Sequence, residues 1–313
     1  MAEELRNEYD IIGQPTPKKD GLLKAMGGAE YADDIFMPGM LHAKLLRSSH
    51  PHAKIINIDT SRAAALPGVR AVITGKDFPG ILYGNLPQTR DYLPLAVDRV
   101  RYIGEEVAAV AAVDEDTAED ALDLISVEYE PLPAVFDPVQ AMADGAPLLH
   151  EGSEGNVSAQ TAFEFGEVDE AFAGAAHIRE DEFQTQPVKQ GMLEPHACVG
   201  LWERTGKVTL WSCKMSPYVV WRQLAMGLGL EPGDVRMVQT YVGGGFSGGK
   251  QEAMPMDFCA VLLSKKTGRP VKVVHGMDEV LTIGHMRHPM NLWMRTGVDK
   301  DGRILAQHCK LIA

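Results

Sequence analysis

The chain has 313 residues, 45% apolar and 23% charged, which excludes wholesale disorder and suffices for two domains without a disulfide or metal staple. Its 30 Lys plus Arg against 43 Asp plus Glu give a formal net charge of −13, which argues against nucleic-acid or anionic-membrane partners but leaves room for a local basic pocket. Cys198, Cys213, Cys259 and Cys309 form no CxxC pair, so zinc knuckles and iron–sulfur ligand sets are excluded and reduced, buried thiols are expected.

The opening MAEELRNEYD is polar and lacks an apolar signal core, and no run approaches the ~18 apolar residues of a membrane span. The expectation is a cytoplasmic chain. Residues Met1–Gly28 read as an extended lead-in. Strands are expected at Leu41–Leu46 and Val69–Ile73, punctuated by the Pro-Gly pairs of MPGM, LPGV and FPG. Val107–Val113 is a continuous apolar run, as in a strand buried on both faces. Asp114 and Asp116 are candidate caps for a helix with Ala118, Ala121, Leu122 and Ile125 on one side, and Val127–Tyr129 restarts a strand. Residues 1–150 thus read as one α+β domain folded around its own core. The polar stretch His150–Gln160 is the expected boundary.

Residues 151–313 read as a second, partial domain. Strands are expected at Ala197–Trp202 and Val208–Ser212, and a helix at Tyr218–Leu228. A strand at Val235–Val242 should run directly into a glycine-rich loop. A helix at Glu252–Lys266 should follow, stopped by Gly268 and Pro270. A hairpin of Asn291–Val298 and Arg303–Ala313 closes the chain, which stops inside its last strand and so reads as one piece of a larger unit.

YVGGGFSGGKQEA, Tyr241 to Ala253, is the most informative segment. Five glycines within seven residues let the backbone approach a ligand and aim N–H groups at its oxygens. Gly244-x-x-x-x-Gly249-Lys250 matches a P-loop until Gln251, where a Ser or Thr would hold magnesium. Gly243-x-Gly245-x-x-Gly248 matches a dinucleotide fingerprint, but Asp257 comes much sooner than the required acid. Taken alone, the loop indicates an anionic cofactor or substrate, and a nucleotide-binding enzyme stays open.

The loop also resembles the GGGFGGK segment of the molybdenum hydroxylases, the xanthine dehydrogenase and aldehyde oxidase family. YADDIFMPGMLHAKLLRSSHPHAKIINIDTSRAAALPGVRAVIT and VDRVRYIGEEVAAVAAVDEDTAEDALDLISVEYEPLPAVFD are similar to its α/β hammerhead domain. EFGEVDEAF, LEPHACVGLWE, the glycine loop and KTGRPVKVV then follow in the family's order. Within the family, the hammerhead stretch and LYGNLP most resemble the catalytic subunit of 4-hydroxybenzoyl-CoA reductase; carbon monoxide, nicotinate and aldehyde dehydrogenase subunits are similar too.

The resemblance implies an α/β hammerhead domain followed by the first part of a molybdopterin-binding domain. It implies a molybdenum–molybdopterin cofactor in dinucleotide form, and oxidation of an aromatic, heterocyclic, aldehyde or acyl-CoA carbon. Iron–sulfur clusters and FAD would sit in partner subunits. The family's catalytic glutamate lies in a C-terminal segment not represented here, so no catalytic residue and no direct metal ligand is assigned to this chain. Cofactor contacts carry over to Gly244, Gly245, Phe246, Ser247 and Gly248, with Ser247 interrupting the family's Phe-Gly-Gly-Lys. Lys214 replaces a glutamine that would donate to a metal-bound oxygen, its plain alternative being a surface lysine. Gln251 or Glu252 lies near a substrate-contacting acid, with Glu252 placed at a helix N-terminus. Glu194 and the pair His285 and His288 read as structural, as do His50 and His52. A noncatalytic assembly subunit is a third reading.

Overall fold

A seven-stranded sheet drawn from both halves of the sequence organises the molecule. The computed structural model describes residues 9–86, 90–150, 155–283 and 285–313. The end of LYGNLP, residues 1–8 of the lead-in and part of the polar boundary lie outside them. In the first half, α1 (Gly21–Ala25) precedes β1 (Leu41–Arg47), β2 (Ala53–Asp59), α2 (Ser61–Ala65) and β3 (Val69–Thr74). Then come β4 (Arg99–Val100), β5 (Glu106–Ala112), α3 (Glu115–Leu122), β6 (Ser126–Pro131) and α4 (Pro138–Ala141). The second half contributes α5 (Val168–Ala173), β7 (His177–Thr185), β8 (Ala197–Trp202), β9 (Val208–Ser212), α6 (Pro217–Leu228) and β10 (Val235–Gln239). It ends with α7 (Pro255–Thr267), β11 (Val271–Val274), α8 (Met277–Thr282), β12 (Met290–Val298) and β13 (Ile304–Ile312).

The large sheet has the order β10-β9-β8-β11-β1-β5-β3, and two three-stranded sheets, β13-β12-β7 and β4-β2-β6, flank it. β1 pairs in parallel with β11, Leu41 opposite Val271, and this contact joins the two halves. The expectation that residues 1–150 fold around their own core holds for two buried clusters drawn wholly from that half, but a third is shared between the halves. Leu41, Ala43, Leu45 and Ile73 share one buried cluster with Cys198, Val208, Leu210, Phe258 and Val271. The apolar run in β5 explains the layering. Ala109 and Ala111 face that shared cluster, while Ala108, Val110 and Ala112 face a second one with Ala118, Ala121 and Ile125 of the α3 region.

Local chemistry sets the element ends. Asp114 caps α3 by accepting from Thr117 N–H at 2.8 Å, and Asp116 sits in the first turn. α7 starts at Pro255, not at Glu252. Pro is suited to the first helical position, and Asp257 Oδ2 accepts from Met254 N–H at 2.8 Å, closing the helix start there. Gly268, at φ +65°, ends it. β10 ends at Gln239 and not at Val242; Tyr241 instead makes an isolated bridge to Tyr31. The lead-in is not wholly extended, since Gly21–Ala25 is helical. Cys198, Cys213 and Cys259 are buried, but Cys309 is exposed because β13 is an edge strand of the outer sheet. Among the described residues no helix is long and apolar enough to cross a membrane.

Candidate functional site

The glycine loop leaves the end of the large sheet beside β9 and returns into α7. Gly243 N–H donates to Glu194 Oε2 at 2.6 Å, and Gly248 N–H donates to Gly245 O at 2.7 Å. On the return, Met215 N–H donates to Lys250 O at 2.7 Å. Gly244 has φ +104° and Gly249 φ +90°, conformations suited to glycine. Phe246 and Ser247 also adopt left-handed backbone, at φ +45° and +61°, at a cost of about 1–3 kcal/mol each. Phe246 is exposed at the tip. Among the described residues, the amides of Gly244, Gly245, Phe246 and Ser247 have no acceptor. Four consecutive N–H groups without partners are left available to an anionic ligand.

Gly245 does not have positive φ, so close packing is what excludes a side chain there: a Cβ would collide with Met215 Sδ. Gln251 Nε2 donates back to Ser247 Oγ at 3.1 Å, which ties the substrate-side candidate to the tip. Glu252 lies before the helix, not at its N-terminus, and its Oε2 accepts from Gln223 Nε2 at 3.4 Å. Gln223 is wholly buried and accepts Ala253 N–H at 2.7 Å, so it supports the chain between loop and helix.

Lys214 occupies a place neither of its sequence readings anticipates. It is no surface lysine: its side chain is 1% exposed. Nor does it offer a donor outward. Its Nζ meets Asp257 Oδ2 at 2.9 Å, Glu252 O at 2.9 Å and Gly249 O at 3.4 Å, which accounts for all three ammonium protons. Asp257 is equally enclosed and also accepts Ser212 Oγ–H at 3.0 Å. The reading of Lys214 as a cofactor contact is corrected, because a buried ammonium needs its full set of partners inside the protein.

Lys250 is likewise fully buried, with Nζ 2.6 Å from Glu194 Oε2 and 3.0 Å from Glu194 O. Beside these two lysines sits His196, 3% exposed, with its pKa pushed down to about 2 by burial and by Lys214 and Lys250. His275 is also lowered well below its usual value, by burial and by Arg47, whose Nη2 lies 3.1 Å from His275 Nε2. Arg47 of β1 also pairs with Glu106 of β5 and Glu279 of α8, so this polar cluster joins the two halves. Burial lowers His285 too, with Glu252 opposing and Lys214, Lys189 and His288 assisting. Among the described residues no group of three or more His, Cys, Asp or Glu is placed to hold a metal ion.

The partners Asp257 and Gln223 carry no sequence signal, since they reach the loop from a different helix turn and a different helix. Glu194 was legible as structural from its segment, but its pairing with Lys250 spans 56 positions.

Residues 26–133 match the family described as the aldehyde oxidase and xanthine dehydrogenase a/b hammerhead domain, and residues 149–313 the molybdopterin cofactor-binding domain. The chain is 36% identical over 304 residues to the nicotinate dehydrogenase large molybdopterin subunit of Eubacterium barkeri, covering 96% of this chain and 69% of that one. It is 35% identical over 328 residues to the carbon monoxide dehydrogenase large chain of Afipia carboxidovorans, covering 100% of this chain but 40% of that protein. The crystal structure of quinoline 2-oxidoreductase from Pseudomonas putida 86 superposes with a TM-score of 0.85 at 31% identity, over 95% of this chain and 38% of that one. The chain therefore spans from about two fifths to about two thirds of the length of these relatives.

Proposed function

The chain belongs to the xanthine dehydrogenase and aldehyde oxidase family of molybdenum hydroxylases, with an α/β hammerhead domain followed by part of a molybdopterin-binding domain, and from this premise we propose its function. It is the portion of a molybdenum-dependent hydroxylase or dehydrogenase that presents the glycine loop to the cofactor. The observation that carries this reading is the row of amides from Gly244 to Ser247 without acceptors, which we read as an anion cradle. Such a cradle fits a group bearing anionic oxygens, as a pterin cofactor in its dinucleotide form does. When bound, that cofactor supplies two-electron oxidation of a substrate carbon with water as the oxygen source.

The chain's own residues do the positioning. Gly244, Gly245, Phe246, Ser247 and Gly248 hold the amides at the cofactor, and Gln251 or Glu252 faces the substrate side. No catalytic base is assigned to this chain. The substrate classes are those the family resemblance implies: an aromatic or heterocyclic ring, an aldehyde or an acyl-CoA. Partners are the remaining molybdopterin-binding segment or subunit, an iron–sulfur subunit and an FAD subunit, in the cytoplasm. Support comes from relatives that are themselves named as a large subunit and a large chain, and from cysteines too scattered to hold a cluster. The P-loop alternative loses its key residue, because Lys250 Nζ is bound inward to Glu194.

Gly244→Val tests the reading. A side chain at φ +104° strains the tip. Molybdenum and pterin content of the assembled enzyme should fall by about tenfold or more, while the chain itself stays folded. Full occupancy in that variant would sink the loop assignment.

A further inference from the structure

A loop with five glycines in seven residues is costly to hold in one shape, and two left-handed non-glycine residues at its tip add strain. Something must offset both, and one carboxylate reaches both ends of the loop. Glu194 Oε2 accepts Gly243 N–H at one end of the loop and Lys250 Nζ at the other, each at 2.6 Å. Lys250 Nζ bonds the Glu194 carbonyl as well, at 3.0 Å, and Lys250 O accepts Met215 N–H at 2.7 Å. The approach is close enough that a Cβ on Gly243 would stand 2.6 Å from Glu194 Cβ.

We propose that Glu194 and Lys250 are positioning residues: a buried ion-pair clasp that fastens both ends of the glycine loop to the segment leading into β8 and thereby fixes the tip. Neither residue touches the ligand. Each acts on the loop through the other, since breaking one side leaves an uncompensated buried charge. A short-range charge-assisted pair is stiff, so the loop closes as a ring of residues 243–250 that keeps the tip amides unpaired. A loop without the clasp would sample conformations in which those amides bond its own carbonyls. The inference rests on the clasp's geometry and not on the identity of the ligand, so failure of the molybdenum reading would leave it standing.

Amide hydrogen exchange on the chain as it exists tests it. Lys250→Met should speed exchange at Gly243 and Gly248 by about tenfold or more, while β5 amides change by less than about twofold. Lys250→Arg, which keeps charge and donors, should bring the loop back to within about threefold of the parent. Glu194→Gln should loosen the same amides, and the double variant Glu194→Gln with Lys250→Met should add little, because the pair acts as one unit. Unchanged loop exchange in Lys250→Met overturns the proposal. So does an equal rise in β5 without rescue by Lys250→Arg, which would mark a merely global loss. If Lys250→Met does not fold, Glu194→Gln decides: parent-like exchange at Gly243 and Gly248 overturns the clasp.

Discussion

β5 and β7 are both strands, yet every residue of β5 is buried and no residue of β7 is. β5 lies between β1 and β3 in the large sheet, with a buried cluster on each face. β7 is an edge of the outer sheet, and its residues HIREDEFQT are mostly charged or polar. The outer sheet is not simply polar, however. Phe183 and Leu311 flank Leu292 on one face, and both are about half exposed, at 53% and 51%. On the other side Phe172 of α5 packs close to Gly297 and under the Arg295 guanidinium. The comparison teaches that the central sheet is held by burial on both faces, whereas the outer sheet rests on its hydrogen-bond ladder and one short helix.

The sharpest way to break that comparison is to insert volume in each region. A Cβ at Gly200 of β8 would stand 2.6 Å from the backbone of Ala260 and Val261 in α7. Gly200→Val should therefore cost at least about 3 kcal/mol, read as a fall in the urea midpoint, because backbone cannot step aside. Leu311→Ser in the outer sheet should cost about 1 kcal/mol or less. Equal losses would show that the two sheets are one cooperative layer.

Acid separates the regions next. His196 and His275, before β8 and after β11, stay neutral when folded but take up protons near pH 6.5 when unfolded. Glu105, which burial raises from 4.5 to about 7, works the opposite way, since the folded chain holds its proton. Between pH 6.5 and 4.5 the unfolded chain thus binds two protons at these groups against one in the folded chain. Stability from the three should fall by about 1.4 kcal/mol per pH unit of acidification. In His196→Asn their contributions cancel, and the slope of urea midpoint against pH should flatten. An unchanged slope would mean that His196 is not kept neutral by the fold.

The smallest effect is expected at the loop tip. Ser247→Gly relieves left-handed strain but adds unfolded-chain freedom, for a net gain of about 0.5 kcal/mol. A loss from thermal melts would show that the Ser247 hydroxyl, which accepts from Gln251, outweighs the backbone term.

Much of the fold was legible because its strands carry one-dimensional signals. Val107–Val113 announces a strand covered on both faces, and the structure shifts it by one residue only. Asp114, Gly268 and Pro270 mark ends by local hydrogen bonding and backbone preference, which neighbours in sequence suffice to specify. The start of α7 was misplaced because Glu252 is a plausible first-turn residue, while Pro255 with Asp257 closes the turn three residues later. The parallel pairing of β1 with β11 could not be read at all, since it joins residues some 230 positions apart and depends on which sheet edge is left open.

At the site, the residue types and their order were enough to single out the glycine loop and to indicate the family to which the chain belongs. Glycine spacing is a local property, and collinear segments along one chain need no contacts to be recognised. The roles of the charged residues were a different matter. Lys214 read as a cofactor contact or a surface lysine and Lys250 as a P-loop position, because a lysine's burial depends on whether a carboxylate and carbonyls converge around its ammonium. Asp257 and Glu194 supply those partners from other elements of the fold. Charge pairs buried across distant segments are a consequence of packing, and desolvation makes them decisive where a sequence shows only a lysine.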